Sequence, residues 1–205
     1  MSRGMADRLG SNRTVVQPLP IHRSFTQIYD RDAIRREAGC DPAAFYILFP
    51  SSPSREVKRY DVFERVVDRI QSQLGKCCIL TLPGSMSPEE VVKVYYQADL
   101  VILCSRHEGS PQSAKEALAC GTPLASFDLG DVRDLTNNIE GTKVVPLGDE
   151  DALLEASIAL LRQRIRVKGI ERLRQLSLTE DRFAERMFEI YESAGIVTNT
   201  GATIS

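Results

Sequence analysis

Apolar residues recur along this chain in two alternating rhythms. Short, nearly continuous apolar runs at 45–50, 77–82, 100–104, 123–127 and 143–146 read as strands buried on both faces. Between the first two, Val62, Phe63, Val66, Val67, Ile70 and Leu74 keep the i, i+3, i+4 spacing of an amphipathic helix over 61–74, which Gly75 breaks. Ser87-Pro88-Glu89-Glu90 predicts a helix start, with Ser87 as N-cap, Pro88 in the first turn and Glu90 at the capping-box position. That helix runs to about Ala98. Further helices are expected at 111–119, stopped by Gly121, and at 132–135.

Strands alternating with helices predict an α/β fold, a doubly wound parallel sheet of Rossmann-like type. In such sheets ligands bind beyond the carboxyl ends of the strands, so the loops after Pro50, Leu82, Cys104 and Phe127 should cluster around a site. The flanks differ. Residues 1–44 carry a helical piece at the start, a proline-containing extended stretch from Val15 to Ile21, and a helix at 31–38. Residues 150–194 read as helical, interrupted near Gly169 and Ser177, and 197–205 as a small, polar, disordered tail.

Composition narrows the function without choosing it. The 205 residues, 42% apolar and 26% charged, suit one domain or one and a half. With 26 basic and 28 acidic residues the net charge is −2, which argues against a nucleic-acid partner held through its phosphates. No apolar run approaches the ~18–20 residues of a membrane span, and the N-terminus lacks the apolar core of a signal peptide. Five cysteines lack C-x-x-C spacing, and Cys77, Cys78 and Cys104 lie in apolar runs as small buried hydrophobes, which predicts a reducing compartment and hence a cytoplasmic protein.

The richest chemistry lies between Arg106 and Pro123. Ser110 and Pro111 start a helix directly after a strand end, leaving the amides of Gln112 and Ser113 as donors for an anion such as a diphosphate. Gly109 permits close backbone approach. Glu116 lies one turn beyond Gln112 on the same helix face, and Glu108 precedes the helix; carboxylates there accept hydrogen bonds from vicinal hydroxyls. On spacing alone, a solvated helix residue at Glu116 and a dipole-favouring carboxylate at Glu108 explain the pair equally well.

Taken together, Glu108-Gly-Ser-Pro through Glu116-Ala-Leu-Ala-Cys-Gly-Thr-Pro resembles the Glu-x7-Glu signature of retaining GT-B glycosyltransferases of family 4. Ser87-Pro-Glu-Glu through Ser105 resembles the segment before that signature, and 126–135 the loop after it. The resemblance covers roughly residues 12 to 192 and implies the C-terminal, donor-binding half of such an enzyme. It divides the chain into a linker region at 1–22 entering from a missing N-terminal acceptor domain, a nucleotide-sugar-binding domain at 23–178, and a crossover helix at 179–196.

The resemblance also implies roles. Glu108 would contact the donor sugar and Glu116 the ribose, with backbone from Gly109 through Ser110, Pro111, Gln112 and Ser113 around the sugar and diphosphate. Arg55 and Lys58, in the loop after the first strand, would neutralise the leaving diphosphate as its charge grows. The family's usual Gly-Arg directly after that strand is replaced here by Pro50-Ser51. Leu82 and its loop would receive the base of a UDP-sugar or GDP-sugar, and His107 would line the cleft. No metal or other cofactor is implied. The acceptor would be a sugar, a lipid-linked molecule or a small molecule.

Other features have simpler readings. Asp30-Arg-Asp32 and Asp149-Glu-Asp151 match a metal-binding pattern of another glycosyltransferase fold, but each precedes a helix and suits a cap. Arg162, Arg164, Arg166, Lys168, Arg172 and Arg174 read first as a solvated helical face, with peripheral contact to an acidic membrane as the alternative. Final-helix residues Phe183, Met187, Ile190 and Tyr191 would be partly exposed without the missing half. A nucleotide-sugar epimerase of the same architecture, and a non-catalytic donor-binding subunit completed by a separate chain, are the competing readings.

Overall fold

The computed structural model describes residues 15–194. Five strands, β1 (Phe45–Phe49), β2 (Cys77–Thr81), β3 (Leu100–Leu103), β4 (Leu124–Phe127) and β5 (Thr142–Val145), form one sheet in the order β2-β1-β3-β4-β5. Every neighbouring pair is parallel. The expected fold class is the observed one. The central strands β3 and β4 are buried throughout, whereas the edge strands β2 and β5 are mostly half-buried, which is why Cys77 and Cys78 are only partly covered.

Among the described residues eight α-helices precede, connect or follow the strands: α1 (Arg31–Glu37), α2 (Tyr60–Leu74), α3 (Pro88–Gln97), α4 (Gln112–Cys120), α5 (Val132–Leu135), α6 (Glu150–Gln163), α7 (Ile170–Gln175) and α8 (Glu180–Ser193). The apolar stripe of α2 buries Val62, Phe63, Val66, Val67 and Ile70, and α2 and α6 pack together as one layer on the sheet. Helices α3 and α4 form the other. Truncating a fully buried residue of this interior such as Phe63 to Ala should cost about 3–5 kcal/mol. The start of α3 is the capping box the sequence predicts: the Glu90 amide donates to Ser87 Oγ at 3.3 Å, and the Ser87 amide donates to Glu90 Oε2 at 2.7 Å. Asp30 and Asp149 cap α1 and α6, accepting from the Ala33 and Ala152 amides at 3.0 and 2.9 Å. No helix among the described residues is long and apolar enough to cross a membrane.

Two parts of the flanks depart from expectation. The six-residue basic stretch is not one helical face. Arg164 ends α6 in a left-handed conformation, φ 51°, and the chain then runs beneath α4, where the Val167 amide donates to Gly121 O at 2.9 Å. Arg166 turns inward and donates to Cys120 O at 2.7 Å, while Arg172 donates to Asp134 O at 2.9 Å and Arg174 pairs with Glu171. Half of the charges are therefore engaged within the fold; Arg162, Arg164 and Lys168 are exposed, as is the paired Arg174.

The extended stretch before Ile21 is docked. The Gln17 amide group donates to Ser177 O at 3.2 Å, and the Ile21 amide to Leu178 O at 2.9 Å. The remainder of the 1–22 region, residues 1–14, lies outside the described residues, as do 195–196 of the crossover segment and the 197–205 tail. Helix α8 has no buried residue, and Phe188 and Tyr191 are exposed.

Candidate active site

The strand order decides where a ligand can enter. From β1 the chain crosses outward to β2, and from β3 it moves the opposite way to β4, so the carboxyl ends of β1 and β3 open a crevice between diverging loops. The two loops are joined by their backbones, the Arg106 amide donating to Val57 O at 3.0 Å. Across this crevice Lys58 Nζ donates to Glu108 Oε1, and both side chains are more than four-fifths enclosed. Ser105 Oγ donates to the same carboxylate oxygen at 2.8 Å, so Glu108 is fixed from its own strand end as well.

A third loop closes against the second. Gly130, at φ 53°, lies so near the Glu108–Gly109 backbone that a Cβ there would sit 2.3 Å from Gly109 O. Only glycine fits that approach and that backbone angle. Helix α4 then begins with Pro111 as N-cap and no side-chain cap, so its first amides open toward the crevice. Its other end is a left-handed turn at Gly121, whose amide returns to Ala117 O and Leu118 O.

Glu116 stands one turn into α4, half-buried. Tyr95 OH, from the buried face of α3, donates to Glu116 Oε2 at 2.7 Å and lies 3.4 Å from Ser113 O. Burial raises the Glu116 carboxyl above its ordinary range, and the Tyr95 hydrogen bond and the charges of Lys115 and Lys58 oppose that rise. Sequence reasoning did not single out Tyr95. Its signal was a tyrosine on the apolar stripe of α3, where the hydroxyl of a buried ring needs a partner.

The remaining expected residues fall in different places. Ser110 Oγ is buried beside Asp131, whose carboxyl is also raised by burial. Ser113 is buried, and Leu82 is half-buried with its amide donating to Ser51 O at 3.3 Å, which ties the loop after β2 to the loop after β1. His107 is exposed in the β3 loop. Arg55 is exposed too, and its side chain makes no hydrogen bond or ion pair among the described residues.

Gln112 departs from the expectation that it shares a ligand face with Glu116. Its Nε2 donates to Pro20 O at 2.8 Å, and its Oε1 accepts from Lys115 Nζ at 2.7 Å. Lys115, fully buried, also donates to Leu19 O at 2.8 Å. The Leu19-Pro20 segment thus engages both side chains, whose donors satisfy its two carbonyls.

Comparison with known proteins agrees with this architecture. The glycosyl transferases group 1 family matches residues 44–163, more than half of the chain. A 2-deoxystreptamine N-acetyl-D-glucosaminyltransferase of Streptomyces fradiae is 30% identical over 126 residues, covering 61% of this chain and 28% of that protein. Among solved structures, a glycosyltransferase from Rickettsia africae superposes with a TM-score of 0.73 at 13% identity, over 97% of this chain and 63% of its own. Sucrose-phosphate synthase from Thermosynechococcus elongatus gives 0.70 at 16% identity, over 97% and 58%. At those identities the structural likeness shows the GT-B fold alone, and the chain spans less than two thirds of each relative's length. The family match is the stronger finding, and by it this chain belongs to the glycosyl transferases group 1 family.

Proposed function

We propose that the chain is the donor-binding half of a retaining, family 4 type glycosyltransferase, which takes a nucleoside diphosphate sugar and transfers the sugar to an acceptor hydroxyl. The observation that carries this reading is the meeting of Lys58 and Glu108, from two different loops, at the switch point beside the open N-terminus of α4. A cation, a carboxylate and free helix amides within one crevice match the three needs of such a donor: a diphosphate, sugar hydroxyls and charge on the leaving group.

In this reading the amides at Gln112 and Ser113 receive the diphosphate, and Lys58 stabilises the charge that gathers on it as the glycosidic bond breaks. Arg55, exposed on the same loop, adds a second cation. Glu108 holds the sugar through its hydroxyls, with His107 at the rim, and Glu116, backed by Tyr95, accepts from the ribose. Leu82 and its loop lie beside the base of uridine or guanosine. The acceptor oxygen bonds to the anomeric carbon on the face the diphosphate leaves, and its proton passes to the departing phosphate oxygen. No metal enters these steps.

The acceptor, a sugar, a lipid-linked molecule or a small molecule, would be presented by a second, N-terminal domain. Two facts support that requirement: the aligned structures extend well past this chain, and no apolar residue of α8 is fully buried among the described residues. A cytoplasmic location, with contact to the inner face of a membrane through the exposed basic residues, fits the same reading.

Titration calorimetry of the folded chain with UDP, GDP and their sugars tests it. The N-acetylglucosaminyl donor belongs in the first panel, given the name of the Streptomyces relative. Saturable binding of one nucleotide series is expected, with added affinity from the sugar. A folded sample that binds none of them would overturn the proposal.

A further inference from the structure

The amino ends of the strands, opposite the crevice, hold a second cavity of about 370 Å³, within the range of small-molecule sites. Four guanidinium groups reach it, Arg31 and Arg35 from α1 and Arg164 and Arg166 from the segment after α6. Asp99 is the only carboxylate among its lining residues, and it is fully engaged. Its Oδ1 accepts from Arg31 at 2.6 Å and from Arg35 at 3.1 Å, and its Oδ2 accepts from the Tyr46 amide at 2.8 Å.

Some of the positive charge serves the carbonyl end of α3. Arg31 Nε donates to Tyr96 O at 3.1 Å, and Arg166 Nη1 to Ala98 O at 3.3 Å. A helix end offers only about half a negative charge. With Asp99 included, a surplus of about two positive charges remains around one cavity. Arg166 registers this: burial, followed by the charge of Arg31, holds its guanidinium down to about 10. Each guanidinium has five donors; with the further bonds of Arg31 to Ala98 O, of Arg35 to Gln97 O and of Arg166 to Cys120 O and Thr122 Oγ1, two stay unused among the described residues on Arg31 and on Arg166, three on Arg35 and all five on Arg164.

Arg164 is the most available of the four. It is exposed, and among the described residues it makes no hydrogen bond or ion pair; its guanidinium lies 5.4 Å from the centre of the Phe45 ring. It holds this place from a left-handed backbone, φ 51°, a conformation unfavourable for a residue with a Cβ.

We propose that this cavity binds a small, soluble, phosphate-bearing molecule at a site separate from the donor crevice. A phosphate dianion answers the surplus charge, and the planar fork of arginine matches its oxygens in pairs. Phe45, at the mouth beside Arg164, offers a ring face to the remainder of the molecule.

The test is an amide-resolved NMR titration of the 205-residue chain with inorganic diphosphate, in parallel with Arg164→Gln and Arg35→Gln. The expected result is saturable shifts at Ala43 to Phe45 and at Ile165 and Arg166. Each substitution should weaken this set by about tenfold while leaving any response at Gln112 and Ser113 unchanged. Absence of shifts at the cavity, or shifts equal in the wild type and both variants, would overturn the proposal. Sedimentation with phosphatidic acid vesicles separates the lipid source: Arg164-dependent binding to vesicles without a response to diphosphate also overturns it.

Discussion

Lys58 and Glu108 hold each other across the crevice between β1 and β3, and on the proposed function each competes with a donor for the other. A nucleotide sugar that engages both must part them, giving the lysine to phosphate and the carboxylate to hydroxyls. Each charge neutralises the other, which keeps the enclosed lysine and carboxylate compensated.

The two substitutions should therefore separate. Lys58→Met is expected to weaken nucleoside diphosphate binding by about tenfold or more, the scale of one lost charge-assisted hydrogen bond. Glu108→Gln should leave nucleoside diphosphate affinity within about threefold, since it releases Lys58, yet remove most of the affinity added by the sugar. Calorimetry with each nucleotide, bare and sugar-linked, reads both effects. Equal losses in both variants would contradict the division of roles.

The Tyr95 hydroxyl donates to a carboxylate whose charged form burial disfavours. Tyr95→Phe should destabilise the fold by about 1–3 kcal/mol at neutral pH, since a buried acceptor loses a donor. The sign of its pH dependence follows from linkage. Burial raises the folded carboxyl above its unfolded value, so charging it costs stability as pH rises through the folded value. The Tyr95 bond offsets that cost only when Glu116 is charged. The difference between wild type and Tyr95→Phe should thus shrink as pH falls through the folded value, which denaturant unfolding at several pH values would show.

Gly130 and Gly148 form a controlled pair, since both have positive φ but different surroundings. A Cβ at Gly148 meets nothing within 4 Å, whereas at Gly130 it meets Gly109 O at 2.3 Å. Gly148→Ala should cost about 1–2 kcal/mol from its backbone angle alone. Gly130→Ala should cost at least about 1 kcal/mol more and also weaken nucleotide binding, because relief of the contact moves Gly109. Thermal unfolding and calorimetry on both variants separate the backbone effect from the displaced loop.

The sheet and most of its helices were legible because the physics there is local. Apolar runs of four to six residues, the stripe on α2, the Ser87–Glu90 box and Gly121 each act within a few positions. The loop cluster was legible for a topological reason: parallel strands must bring their carboxyl-end loops to one side. The pairing of Lys58 with Glu108 was not, because contact across 50 residues leaves no periodic trace. The basic stretch misled for a similar reason. Its spacing suits one helix, but Arg164 reverses the backbone, and Arg166 is needed by carbonyls left open at Ala98 and Cys120. Lys115 left no signal in the sequence, since the carbonyl it serves, Leu19 O, lies almost a hundred residues away.

That lysine gives the sharpest pH prediction. Lys115 is enclosed with two oxygen partners, Leu19 O and Gln112 Oε1, and makes no ion pair among the described residues. Burial lowers its ammonium from the usual 10.5 to about 8, with Asp131 and Glu116 opposing the fall. The folded chain then gives up this proton near pH 8, whereas the unfolded chain keeps it to about 10.5. Between those values the unfolded state binds more protons, so stability rises with pH across the window and is unaffected by this group below it. The slope from one such group approaches about 1.4 kcal/mol per pH unit. Lys115→Met keeps the length of the side chain and removes the titration. Subtracting its unfolding free energy from that of the wild type at pH 7, 8, 9 and 10 cancels the other groups. The difference should stay level to about pH 8 and then shift in favour of the wild type. A level difference throughout would mean that Lys115 titrates alike in both states, and that the Leu19-Pro20 segment does not enclose it in solution.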